Sequence, residues 1–250
     1  MDDHWKQHVK TELTTAVCFI AGIDNFACEA QNMNNSEFPG ECRLEHFTDL
    51  NEHKTRVHYL KGENIFKQGA FAPYVIYVVQ GLVKVYLQTG FDKQISISIA
   101  RSGDFLAYSS IFGETVHTYS TQALTNAEIC MIEKERLKQI LLEHPEFALE
   151  VTSKNYRKEK HLLEIIKNVS YKQMRGKLAS ALIYLSQEDF LKEDIFSYLT
   201  RQDLADFASI STESAIKFLK EFEKEGMLAL DGKDIAITDP AKLVNISKNG

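Results

Sequence analysis

The stretch from Tyr198 to Leu228 leaves this chain few choices of fold. Thr200 precedes a helical run and Asp203 stands three residues on, a pair that can cap a helix start reciprocally. Leu204, Ala205, Phe207 and Ala208 give that run an apolar face. Ser209, Ile210 and Ser211 then break the pattern, and Ser211 is placed to cap a second helix. In the second run Ala215, Ile216, Leu219 and Phe222 recur at spacings of one, three and three, which is one helical face. Two capped helices joined by a three-residue turn form a helix-turn-helix pattern, a module that reads DNA. Ala205 marks the close crossing, where a larger side chain would push the helices apart. The plainer alternative is an αα-hairpin inside an all-α core.

The segment after the second helix favours the DNA-reading module. Gly226 stands where a helix C-terminus needs a left-handed residue. Met227 to Leu230 and Asp234 to Thr238 read as short strands around Asp231–Gly232. A hairpin directly after the second helix is a wing, an element that lies along a phosphate backbone.

Charge narrows the class of partner. A net charge of −6 over 250 residues excludes a non-specific coat on nucleic acid. It leaves room for a specific reader, since one positive face suffices. Arg201, Lys217, Lys220, Lys224 and Lys233 supply cations here, among many acids. At 44% hydrophobic and 26% charged residues, the chain can bury the cores of two domains. No eighteen-residue apolar run predicts a membrane span. The opening MDDHWKQHVK is acidic and polar, unlike a secretory signal. Four cysteines at irregular spacing suit a reducing cytoplasm.

Residues 1–41 read as an extension, with a candidate helix over Val9 to Ile20 and a polar linker over 30–40. His4, His8, Cys18 and Cys28 are conceivable metal ligands, but a solvated extension is the simpler reading. From Val57 the periodicity becomes two. Val57–Tyr59, Ile65–Phe66, Val75–Val79, Leu82–Leu87, Ile95–Ile99, Tyr119–Leu124 and Ile129–Ile132 read as strands punctuated by glycines. That spacing predicts a β-sandwich or barrel over 42–143. Glu135 to Leu142 is a short helix, and a longer one runs from Pro145 to Val169. Val151, Asn155, Lys158, Leu162, Ile165 and Val169 alternate by four and three, as in a dimerisation seam over 144–169. The alternative is that this stripe packs on its own β-domain. Lys172 to Ser186 opens the last domain, 170–250.

The order of these parts resembles the Crp/Fnr family of bacterial transcription regulators. The motifs are Lys61–Gly62–Glu63–Asn64–Ile65–Phe66–Lys67–Gln68–Gly69, Gly81–Leu82–Val83–Lys84–Val85–Tyr86, Gly103–Asp104–Phe105, Leu199 to Ala205, and Ser211–Thr212–Glu213–Ser214. The family's turn glycine is replaced by Ser209. The resemblance implies an α+β fold: an N-terminal double-stranded β-helix (jelly-roll) sensor domain, a long dimerisation helix and a C-terminal winged helix-turn-helix. It also implies a homodimer on a near-palindromic DNA operator, RNA polymerase as a further partner, and no catalytic role. By family position Thr212, Glu213 and Lys217 face base edges with Ser214 close by, while Arg201, Gln202 and Ser211 suit phosphates.

Cyclic-nucleotide binders of the family use a Glu for the ribose and an Arg-Ser pair for the phosphate. Those positions hold Tyr108, His117 and Thr118 here. Glu114 imitates the local pattern out of register, and no Lys or Arg occurs from Ser102 to Glu133. The expectation is an effector, if any, that is not cyclic AMP held by the usual contacts. An iron–sulfur sensor is the sharper alternative. Cys130 aligns with the internal cluster cysteine of oxygen-sensing members, but Cys18, Cys28 and Cys42 are widely spread. Otherwise no cofactor is expected. A cupin-like enzyme would need metal-binding spacing that His46, His53, His58 and His117 lack. A ligand-binding or interaction module without DNA affinity is the remaining reading.

Overall fold

Eight of the strands form two antiparallel sheets. In the computed structural model, which describes residues 53–91 and 93–250, one sheet has the order β1 (Lys54–Tyr59), β8 (Ala127–Glu133), β3 (Tyr74–Gln80), β6 (Phe105–Leu106). The other is ordered β2 (Asn64–Phe66), β7 (Ser120–Ala123), β4 (Val83–Gln88), β5 (Gln94–Ala100). The extension over residues 1–41, together with Cys42 and His46, lies outside the described residues. The described chain divides into two compact units, with the break between Ile165 and Ile166. This differs from the expected boundaries, because most of the long helix belongs with the β-domain.

Alternation builds the first unit. Ile76, Val78 and Ile129 of one sheet meet Phe66, Val83, Val85, Ala100 and Ala123 of the other in a shared core. Gly81 has φ 93°, and a Cβ there would lie 2.5 Å from the Asn126 carbonyl, so only glycine fits the turn into β4. The two-residue strand β6 is too short to show a period in sequence.

Helices cover the β1–β8–β3–β6 sheet. Leu137, Ile140 and Leu141 of α1 (Lys134–Glu143) pack with Val75, Phe105, Cys130 and Ile132. Helix α2 (Pro145–Tyr171) opens on its proline, and Phe147 and Val151 join the same cluster. Here the structure divides the seam. Val151 is fully buried in its own unit. Asn155 Nδ2 donates to the Val151 carbonyl at 2.9 Å. Lys158 Nζ donates to the Phe105 carbonyl at 3.1 Å and lies 3.3 Å from Asp104 Oδ1. One turn on, a His161 ring nitrogen meets the Ile97 carbonyl at 2.9 Å. The first half of the stripe of fours and threes, Val151, Asn155 and Lys158, is thus an intramolecular face, whereas Leu162 further on is exposed. Leu149, Tyr156, Leu163 and Ile166 form a second stripe that stays exposed.

The second unit holds α3 (Met174–Leu185), two single turns α4 (Glu188–Leu191) and α5 (Ile195–Tyr198), then α6 (Arg201–Ala208) and α7 (Thr212–Lys224). The hairpin β9 (Leu228–Asp231) and β10 (Asp234–Ile237) comes next, and α8 (Pro240–Asn249) ends the chain. Helix α8 is an addition to the expected elements. Asp239 caps it by accepting from the Lys242 N–H at 3.0 Å, with Pro240 in its first turn. It lies against α3, where Lys172 Nζ donates to Ser180 Oγ at 2.7 Å and Ser247 Oγ at 3.0 Å.

The two stripes of α2 separate experimentally. Val151→Ala should destabilise the first unit by about 2 kcal/mol through lost burial and a residual cavity. Leu149→Ala should leave that unit's intrinsic stability within roughly 0.5 kcal/mol. Hydrogen exchange at the β3 and β8 amides of the two variants checks both.

Candidate nucleic-acid interface

Local rules set the geometry of α6 and α7. The Asp203 N–H donates to Thr200 Oγ1 at 3.1 Å, and the Thr200 N–H donates to Asp203 Oδ2 at 2.9 Å, closing the expected capping box. Ser209 ends α6 with φ 51°, the left-handed conformation for which glycine is favoured. Its hydroxyl is buried without a partner. The Ile210 N–H donates to the Ala205 carbonyl at 3.1 Å, so the chain turns directly over the fully buried Ala205. Ser211 caps α7, its hydroxyl accepting from the Ser214 N–H at 3.2 Å. Helix α7 stops where Gly226, at φ 75°, lets the Met227 N–H reach the Phe222 carbonyl at 2.9 Å.

The residues singled out in sequence are brought together at the start of these two helices. Glu213 and Lys217 project from α7, Lys217 with its side chain 70% exposed. Glu213 sits in the first turn of α7, where a backbone N–H and the Ser211 hydroxyl hold its carboxyl below the usual range. The Thr212 hydroxyl donates to Gln202 Oε1, while Gln202 Nε2 donates to Asp206 Oδ1 at 2.8 Å. Gln202 therefore bridges the two helices. The Ser211 hydroxyl also donates to Ser214 Oγ at 3.1 Å.

Two placements escaped the sequence. The Arg201 guanidinium donates to the Gly232 carbonyl at 2.9 Å and the Lys233 carbonyl at 3.2 Å, tying the start of α6 to the hairpin turn. Burial lowers its pKa against the opposing effect of Asp234. Spacing within one helix carries no sign of a partner thirty residues on. Ile216, expected on the buried face, is 39% exposed, and the buried positions of α7 are Ala215, Leu219 and Phe222. Helical angle would have found this, because Ile216 falls between the core face and the Glu213–Lys217 face.

In the β-domain, His117 and Thr118 line a crevice with Ala107, Ser109, Ser110 and Tyr119, closed to anything the size of a water molecule. Tyr108 stands outside that lining, in the 3-10 turn Tyr108–Phe112, with burial raising its pKa against a bond with Thr152. His117 is buried and stacked on Phe66, ring centroids 3.8 Å apart, with Nδ1 unpartnered and its pKa lowered by burial. Ser110 Oγ in the same crevice is also unpartnered. A neutral imidazole and a hydroxyl do not suit a phosphate diester. Cys130 sits in the apolar cluster under α1, its thiol pKa raised by burial, as a small hydrophobe would sit. Cys18, Cys28 and Cys42 lie outside the described residues. Among the described residues, no three His, Cys, Asp or Glu side chains group as metal ligands.

Known proteins share this arrangement. A family model described as "Cyclic nucleotide-binding domain" matches residues 56–144, and one described as "Crp-like helix-turn-helix domain" matches residues 176–246. The cAMP-activated global transcriptional regulator CRP of Salmonella typhimurium is 24% identical over 183 residues, covering 72% of this chain and 87% of that protein. The fumarate and nitrate reduction regulatory protein of Vibrio cholerae is 25% identical over 211 residues, covering 83% of each. Among solved structures, the c-di-GMP responsive global regulator CLP of Xanthomonas campestris matches with a TM-score of 0.66 at 21% identity, covering 74% of this chain and 94% of that one. FixK2 of Bradyrhizobium japonicum matches with a TM-score of 0.63 at 18% identity, covering 77% and 96%. This chain belongs to the Crp/Fnr family of transcription regulators. It pairs a cyclic-nucleotide-binding-type β-domain with a helix-turn-helix DNA-binding domain.

Two consequences are measurable. Ser209→Gly removes left-handed strain of roughly 1–2 kcal/mol and an orphaned hydroxyl, against roughly 0.5–1 kcal/mol of added unfolded-chain entropy. A net gain of about 1 kcal/mol should appear as a higher melting temperature. For His117 the folded pKa lies below the unfolded 6.5, so the unfolded state binds the extra proton as pH falls. Its contribution is present above pH 6.5 and is lost on acidification. His161 acts in the same direction. Urea titrations at pH 7 and pH 5 should show weaker folding at pH 5, and a smaller difference in His117→Phe, which keeps the stack on Phe66.

Proposed function

We propose that this regulator works as a cytoplasmic homodimer that inserts α7 of each protomer into successive major grooves of a near-palindromic operator, with half-sites about 34 Å apart. The observation that carries the reading is the exposed Glu213–Lys217 face on a helix capped and fixed at both ends. Glu213 accepts from a cytosine amino group, and Lys217 donates to guanine O6 or N7. Lysine lacks the fork of arginine, so discrimination at that base is soft. Gln202, Ser211, Thr212 and Ser214 line the entry of the helix, and Arg201 holds the hairpin turn that carries Lys233 toward the phosphates. The dimer is made by the exposed stripe Leu149, Tyr156, Leu163 and Ile166, whose first three members repeat every seven residues.

The β-domain senses a signal other than cyclic AMP bound through the usual contacts. The uncharged crevice of His117, Thr118 and Ser110 supports this, as does the absence of Lys and Arg from 102–133. RNA polymerase is the further protein partner. No reaction is catalysed. No described helix is long and apolar enough to cross a membrane.

Selection of bound sequences from random DNA, followed by binding across a salt series, tests the reading. Affinity should fall steeply as salt rises. Glu213→Ala with Lys217→Ala should relax sequence preference, and Arg201→Ala should weaken all sequences alike. Selected operators that bind the double variant unchanged would defeat the site assignment. Isothermal titration should show no micromolar affinity for cyclic AMP.

A further inference from the structure

Two residues, Lys172 and Gln173, join the end of α2 to the start of α3. Gln173 is extended, with φ −71° and ψ 162°, so the helical path breaks there. Lys172 lies on the α2 side of the break. Its N–H donates to the Asn168 carbonyl at 3.2 Å, continuing the helical pattern by one residue. Its side chain is committed elsewhere. Lys172 Nζ donates to Ser180 Oγ of α3 at 2.7 Å and to Ser247 Oγ of α8 at 3.0 Å. One residue thus has its backbone in one helix and its ammonium between the next two.

The ammonium and the two hydroxyls form a directed network. Ser180 Oγ donates to the Gly176 carbonyl at 2.7 Å, which uses its proton. In the 2.8 Å contact between Ser180 and Ser247, the donor is therefore Ser247. Both hydroxyls accept from a charged group, which strengthens the bonds. Around them α3 and α8 meet closely, since a Cβ at Gly176 would lie 2.7 Å from the Gly250 carbonyl. One turn earlier, Leu243 and Val244 bury apolar side chains. The middle of α8 is thus held by apolar burial, and its last turn is held at Ser247 by hydrogen bonds. A hydrogen bond is lost within about 1 Å of separation, whereas apolar contact is non-directional and tolerates such a shift.

We infer that Lys172 is a latch that couples the end of α2 to the C-terminal helix. Displacement of the last turn of α2 carries the ammonium away from Ser180 and Ser247, and the last turn of α8 then opens. Helix α3 also packs on α6, so the latch stands behind the first helix of the helix-turn-helix. The coupling holds whether or not α7 enters a groove.

Hydrogen exchange of the full-length protein tests the latch. Lys172→Met keeps an unbranched stem and removes the donors. Exchange at the Ser247, Lys248 and Gly250 amides should quicken about tenfold, while amides of α6 and α7 keep their wild-type rates. Ser247→Ala should give a similar increase, and the double variant no more than either alone. Asn168→Gly weakens the last turn of α2 through poor helix propensity. It should quicken exchange in the last turn of α8 about fourfold in the wild-type background, and leave it unchanged in Lys172→Met. Should α6 and α7 also exchange faster in Lys172→Met, the Asn168→Gly comparison is made in Ser247→Ala, with the same expectation. Wild-type exchange of α8 in Lys172→Met overturns the inference. So does an α8 response to Asn168→Gly that persists undiminished without the latch, because it would then travel by another route.

Discussion

The reading face exists because two helices cross over an alanine. Ala205 has no exposed surface, and the chain passes over it through a left-handed serine that a helix could not otherwise accommodate. Once Ser209 is forced into that conformation, the direction in which α7 leaves is set by backbone geometry. Capping at Thr200 and Ser211 removes fraying at the two ends that meet there, and Gln202 links Thr212 to Asp206 across the turn. The cost of one strained residue is offset by satisfied helix-end groups and a buried crossing. A functional surface on a helix start requires that stiffness, because a misplacement of an ångström separates a base-edge hydrogen bond from none.

The same geometry resolves the electrostatics of an acidic protein that faces DNA. Acids and bases are interleaved along α7 and its neighbours in sequence. The structure engages several of the acids. Asp203 caps α6, Asp206 accepts from Gln202, Asp239 caps α8, and Glu223 accepts from the Leu230 N–H at 3.3 Å. Glu225 is held by Arg175 at 2.6 Å. These carboxylates are directed at N–H donors of their own unit. Lys217, Lys220, Lys224 and Lys233 are exposed, with Glu213 exposed beside them and Lys217 Nζ 4.0 Å from Glu221 Oε1. A net charge of −6 is therefore compatible with exposed lysines on this unit, since the field that matters is local to within a Debye length of about 8 Å.

Legibility in the sequence followed the range of the interaction. The capping box, the turn, the wing and most strands of the β-domain were readable because caps and alternation act within four residues. Strand β6 was not, since two residues show no period. Helix α8 has its own start signal in Asp239–Pro240, and its packing partner in α3 lies sixty residues away. The seam on α2 was seen as a pattern, and its first half faces the β-domain, the alternative the sequence left open. A heptad does not say whether it faces a copy or its own sheet, and Lys158 and Asn155 were the clue that polar partners waited nearby. Ile216 was misplaced for a subtler reason: spacings of one, three and three span an arc wider than the buried face, so its last-buried and first-exposed members look alike.

Helix α2 also shows where a signal must act to matter. Its inner face is tied to the β-domain by Lys158 at the Phe105 carbonyl and by His161 at the Ile97 carbonyl. Phe105 is two residues from Ala107, which lines the crevice and donates its N–H to Tyr119 Oη at 2.8 Å. The crevice and the anchor of α2 are thus parts of one short segment. Unpartnered groups on His117 and Ser110 leave that segment with hydrogen-bonding capacity that a ligand of the right shape would use. Such a ligand shifts α2 only to the extent that it binds one position of the segment better than another.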